Sequence, residues 1–107
     1  MDTIRTIEQH IVTHTSDIIF AIYPNDTHQD HRYSSLAVIS ATRNVPNLLF
    51  YSSVSSIHFL PNIFVDITDT IDTKLQAIYL HKSQFENGSL DEAIRGMARN
   101  YGALLRR

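Results

Sequence analysis

Cysteine is absent from this 107-residue chain, so disulfides and thiolate metal sites are both excluded. Any bound metal must be held by nitrogen and oxygen ligands, and a reducing compartment fits. Long apolar runs are also missing. The strongest, Ile18 to Tyr23, is far shorter than the ~18 residues that a membrane span needs. No basic-then-apolar leader opens the sequence, which therefore reads as soluble and cytoplasmic. Basic residues are few: nine Lys plus Arg stand against eleven Asp plus Glu, for a formal charge of −2. Without a basic stripe to track a phosphate backbone, nucleic acid is excluded as an expected partner. Repeats, low-complexity segments and linkers are absent too, so residues 1–107 read as the length of one domain with a modest core.

Helical and extended patterns alternate along the chain. Ile4, Ile7, Ile11 and Val12 recur at helical spacing behind the capping residues Asp2 and Thr3, predicting a helix near 3–14. Ile18 to Tyr23 is apolar on both faces, as in a strand inside a covered parallel sheet, and Pro24 ends it. Leu36, Ile39 and Ala41 predict a second helix from Ser34 to Thr42. Leu48 to Tyr51 reads as a strand, Ser52 to Ser56 as loop, and Ile63 to Ile67 as a third extended piece. Thr68 can cap a helix running to about Lys82, with Asp69 and Asp72 in its first turn and Ile71, Leu75, Ile78 and Tyr79 on its apolar face. Asn87-Gly88-Ser89 reads as a turn before a last helix through Leu90, Ile94, Met97, Tyr101 and Leu105, on which Arg95, Arg99, Arg106 and Arg107 are solvated charges. The expected fold is α/β: a Rossmann-like layered arrangement in which a small, mostly parallel sheet is flanked by helices.

Pro24 to Arg32 packs His28, His31, Asp26, Asp30 and Arg32 into one polar stretch at the carboxyl end of the first strand. Ligands of open α/β sheets bind at that edge. His31 can supply one nitrogen to a divalent cation. His28, three residues earlier, can when protonated donate to the oxyanion of a tetrahedral intermediate, and Asp30 can fix the orientation of that ring. A plainer reading competes: Asp26 and Asp30 are good cap residues, and a short H-x-x-H is also what a turn leading into a helix looks like. His14 and Asp17 cannot join the motif, because the strand from Asp17 to Tyr23, at ~3.3 Å per residue, separates Asp17 from it by roughly 23 Å.

The stretch Pro24 to Arg32 resembles the second signature of the LmbE/PIG-L family of zinc-dependent N-deacetylases, a polar loop containing H-x-D-H. Leu49 to Ser52, Phe59 to Asp66, Lys74-Leu75 and His81 to Gln84 look like further landmarks of the same family in the same order. The resemblance implies a Zn2+ cofactor with His31 as ligand, His28 as the oxyanion-stabilising or acid group, Asp30 as the carboxylate that orients His28, and Asp26 near the substrate. It also implies amide hydrolysis on a small N-acetylated, sugar-like substrate. The bland reading is kept for His81 to Gln84, as a helix end, and His10, His14 and His58 read as ordinary histidines. The family's first signature, His-Pro-Asp-Asp, supplies two more zinc ligands and the base, and this sequence has no such segment. It matches the carboxyl half of such a domain, with Ser52 where members often carry Glu. The expected partners are therefore a complementing segment or a second copy of the chain; the alternative is an inactive, truncated remnant that keeps the fold.

Overall fold

Asp2 opens the first helix, as the spacing of the isoleucines requires. The computed structural model describes residues 2–81 and 90–105, and its contacts divide the chain into two compact units, Met1–Leu60 and Pro61–Arg107.

In the first unit, α1 spans Thr3–His14. The Asp2 carboxylate accepts from the Arg5 N–H at 3.3 Å, satisfying one of the donors that a helix start leaves open. Thr15, at φ 46°, turns the chain out of the helix. Strand β1 follows at Ile18–Ile22 and pairs in parallel with β2, Asn47–Tyr51, in the register Ala21↔Phe50. Parallel strands need a crossover, and α2, Gln29–Ala41, supplies it. The architecture is thus α/β, with a small parallel sheet flanked by helices, as expected.

Three expectations for this unit change. Tyr23 lies just beyond β1, although its N–H still reaches the Tyr51 carbonyl at 2.9 Å. β1 is covered on one face only: Ala21 is buried while Ile18 is 50% and Phe20 66% exposed. Helix α2 begins at Gln29 instead of Ser34, so the histidine motif forms its start. Its inward residues are small. Ser35, Ala41 and Thr42 are buried, and Ser35 Oγ donates to the Ile22 carbonyl at 2.7 Å. Leu36 and Ile39 are on the exposed side. The small side chain at Ser35 lets the helix backbone approach the strand closely, which a leucine or isoleucine there would prevent.

In the second unit, residues 63–67 form no strand, so the sheet has two strands among the described residues. β-branched residues favour a strand only where a neighbour completes the ladder. Instead, Asp66 Oδ1 accepts from both the N–H and the hydroxyl of Thr68, turning the chain toward α3, Ile71–Tyr79. Thr68 and Asp69 therefore lie in this turn, and Asp72 occupies the first helical turn. Leu75 is buried. Helix α4 spans Leu90–Leu104. Arg95, expected to be solvated, bonds Asp72 at 2.8 Å, and Tyr79 donates to Asp91 at 2.8 Å. Lys82, Ser83, Gln84, the turn expected at Asn87-Gly88-Ser89, Arg106 and Arg107 lie outside the described residues. Among the described residues no helix is long and apolar enough to cross a membrane.

Candidate metal-ligand centre at the end of the first strand

The chain leaves β1 through Pro24 and Asn25 and is then laid against the loop that follows β2. Asp26 and Ser56 form an isolated antiparallel bridge. The Ile57 N–H donates to the Asn25 carbonyl at 2.8 Å, and the Thr27 N–H to the Ser55 carbonyl at 3.1 Å. Arg32 reaches back from α2 and donates to the carbonyls of Asp26, at 2.9 Å, and Thr27, at 3.0 Å. The polar stretch is thus held from both sides.

At its centre Asp26 is 2% exposed, and its carboxylate is surrounded by donors. Oδ1 accepts from the Ser55 hydroxyl at 2.6 Å and the His28 N–H at 2.8 Å. Oδ2 accepts from the Ser53 hydroxyl at 2.7 Å, lies 3.0 Å from His31 Nδ1, and meets Ser56 Oγ at 3.4 Å. Burial alone would push this carboxyl's pKa up, but the hydrogen bonds from Ser55, the His28 backbone, Ser53 and His31 outweigh it and hold the group well below the ordinary carboxylate range. Asp26 is therefore an anion at neutral pH.

An anionic carboxylate only accepts, so a neutral His31 ring bonded to it carries its proton on Nδ1 and its lone pair on Nε2. Nε2 meets no partner among the described residues, and the ring is half-buried. A carboxylate behind an imidazole in this way is the usual support of a metal-binding histidine. The ring of His28 stacks on it, with centroids 4.3 Å apart and planes within 15°. His28 is itself the N-cap of α2: its Nδ1 accepts from the Asp30 N–H at 3.2 Å, so the neutral ring carries its proton on Nε2.

The Asp26 side chain is fully buried and taken up by the chain's own donors. Asp30 meets His28 through its backbone N–H and not through its carboxylate, which is exposed in the first turn of α2. His28 and His31 do come together, across a helix start and not within a loop. Ser53, Ser55 and Ser56, read from sequence only as loop, are part of the centre; they lie more than twenty residues from Asp26, and no local pattern signals the pairing. Ser53, His31 and Asp26 do not form a nucleophilic relay. Ser53 Oγ and Asp26 Oδ2 crowd the same His31 nitrogen, at 3.5 and 3.0 Å, whereas a relay needs them on opposite ring nitrogens.

The donor chemistry fits part of a zinc site. His31 Nε2 offers one nitrogen lone pair, yet no group of three His, Asp or Glu residues that could hold a metal ion forms among the described residues. A complete set would need donors beyond these.

No family model matches the chain. It is similar to a diacetylchitobiose deacetylase of Thermococcus kodakarensis, 34% identical over 58% of this chain and 28% of that protein. Its fold matches the crystal structure of the conserved protein TT1542 from Thermus thermophilus with a TM-score of 0.82 and 25% identity, over 97% of this chain and 53% of that one. The chain thus spans less than a third of the length of the curated relative and about half that of the solved structure.

Proposed function

We propose that this chain carries part of the active centre of a zinc-dependent N-deacetylase of the LmbE/PIG-L type. The observation that carries this reading is the bond between the buried Asp26 carboxylate and His31 Nδ1, which leaves Nε2 with its lone pair in a chain similar to a deacetylase. When bound, zinc supplies the Lewis acidity that polarises an amide carbonyl. His31 would be one of its ligands. His28, with Nδ1 committed to the cap of α2, offers Nε2–H as a donor to the oxyanion of the tetrahedral intermediate and needs no added proton to do so. Asp30 contributes the backbone N–H that fixes that tautomer. The substrate would be an acetamido sugar, such as the N-acetylated disaccharide in the relative's name.

A second reading, a non-catalytic chain that works by association, is favoured by a different observation. Ile18, Phe20 and Tyr51 leave an exposed apolar patch along the strands, and the described residues hold no three-ligand metal group. Surfaces of this kind are usually covered by another segment or chain. In the deacetylase reading the remaining ligands would come from a complementing segment or a second copy.

Equilibrium zinc titration, paired with deacetylation of diacetylchitobiose at added zinc and with light scattering, tests both readings. The deacetylase reading expects zinc uptake that is lost in His31→Ala, and turnover once the complementing segment is supplied. Zinc uptake unchanged by His31→Ala would refute it. A stable oligomer with no turnover in any combination would support the second reading.

A further inference from the structure

The Asp26 carboxylate is held by more donors than its bond to His31 requires, and most of them come from one distant loop. Ser55 fixes Oδ1 at 2.6 Å, Ser53 fixes Oδ2 at 2.7 Å, and Ser56 approaches Oδ2 at 3.4 Å. These hydroxyls are themselves ordered by the loop. The Ser55 N–H donates to Ser53 Oγ at 3.1 Å, and the Ser53 N–H to Ser56 Oγ at 2.9 Å. The antiparallel bridge between Asp26 and Ser56 sets the loop against the motif.

A carboxylate with spare lone pairs could turn about its Cβ–Cγ bond, and an imidazole beside it could flip and present either nitrogen. Here both carboxylate oxygens are pinned, so the oxygen facing His31 has one direction in which to accept. We propose that Ser53 and Ser55 are positioning residues: by locking the Asp26 carboxylate they select the Nδ1–H tautomer of His31 and so present Nε2 as the lone-pair nitrogen for a divalent cation. The proposal rests on His31 being a metal ligand only for its consequence; the choice of tautomer is a property of the metal-free chain. It assigns the serine-rich loop after β2 a part in the centre that neither the His motif nor the similarity to a deacetylase assigns to it.

The test is long-range 1H–15N NMR of the imidazoles in the metal-free chain at alkaline pH. The native chain should show His31 protonated on Nδ1. Ser53→Ala and Ser55→Ala should each give a mixture of tautomers and a zinc affinity lower by roughly tenfold, the low end of the 10–100-fold range for losing a partner behind a ligand. Ser53→Thr, which keeps the hydroxyl, should restore both. A native chain with His31 protonated on Nε2 overturns the proposal without any variant. So does a Ser53→Ala chain that is less stable but keeps the native tautomer and zinc affinity. The expected tautomer pattern in a chain that takes up no zinc would uphold the positioning role and count against the deacetylase reading instead.

Discussion

Two stacked histidine pairs occur in the first unit, and they differ in what lies behind them. His10 and His14, one turn apart on α1, stand 5.9 Å apart with planes within 5°, and both are exposed. His28 and His31 stand 4.3 Å apart with planes within 15°. Only in the second pair does a buried carboxylate bond one ring and a backbone N–H bond the other. Closeness of two imidazoles follows from helical spacing alone. A candidate site also needs ring nitrogens whose protonation and direction are fixed, because an exposed pair spreads its population over rotamers and tautomers.

The comparison breaks first at Asp26. Asp26→Ala should cost about 3 kcal/mol in urea denaturation, since it strips the partner from three hydroxyls, the His28 N–H and His31 at once. A loss below about 1 kcal/mol, the range of a single ordinary hydrogen bond, would mean that the network is not what holds the motif. The same group sets a pH dependence. Its folded-state pKa is depressed below the unfolded value, so its stabilisation is whole above about pH 5 and is lost as pH falls through about 4 and below. Asp26→Asn should flatten that acid limb of the stability profile.

His31→Ala should lower zinc affinity by at least about tenfold, equivalent to about 1.4 kcal/mol, in a competition titration against a chelator. His28→Ala should cost about 1 kcal/mol of stability through loss of the α2 cap, and His28→Asn should recover most of it, because asparagine is a good cap. The smallest effect sharpens the contrast. His10→Ala and His14→Ala should each stay within about 0.5 kcal/mol in thermal unfolding and leave the zinc midpoint unchanged. A midpoint that moves with His10 or His14 as much as with His31 would erase the distinction between the pairs.

Much of the fold is legible residue by residue. The spacing of Ile4, Ile7 and Ile11 behind Asp2 marks α1, and Leu90, Ile94, Met97 and Tyr101 mark α4, because a helical face writes its period into the chain. The motif is legible as well, since His28, Asp30 and His31 are close in sequence. The start of α2 is not. Leu36 and Ile39 draw attention as its apolar positions, but the buried positions are Ser35, Ala41 and the C-cap Thr42, which look polar or indifferent in sequence. The strand expected at 63–67 fails for a related reason: β-propensity reports a residue's fitness for a ladder, not whether a partner strand is there.

By itself, the sequence determined that any metal here is held by nitrogen and oxygen, that helices and parallel strands alternate, and that one polar stretch follows the first strand. These depend on residue type and short-range periodicity. Only the tertiary structure decided which groups in that stretch act together. The loop at 53–56 folds over Asp26 and makes it the buried anion behind His31, and at the helix start Asp30 meets His28 through its backbone N–H. The physical reason is range. Caps and helical faces are set by neighbours within about four residues, whereas the charge state and direction of a buried side chain are set by whichever distant donors the fold closes around it.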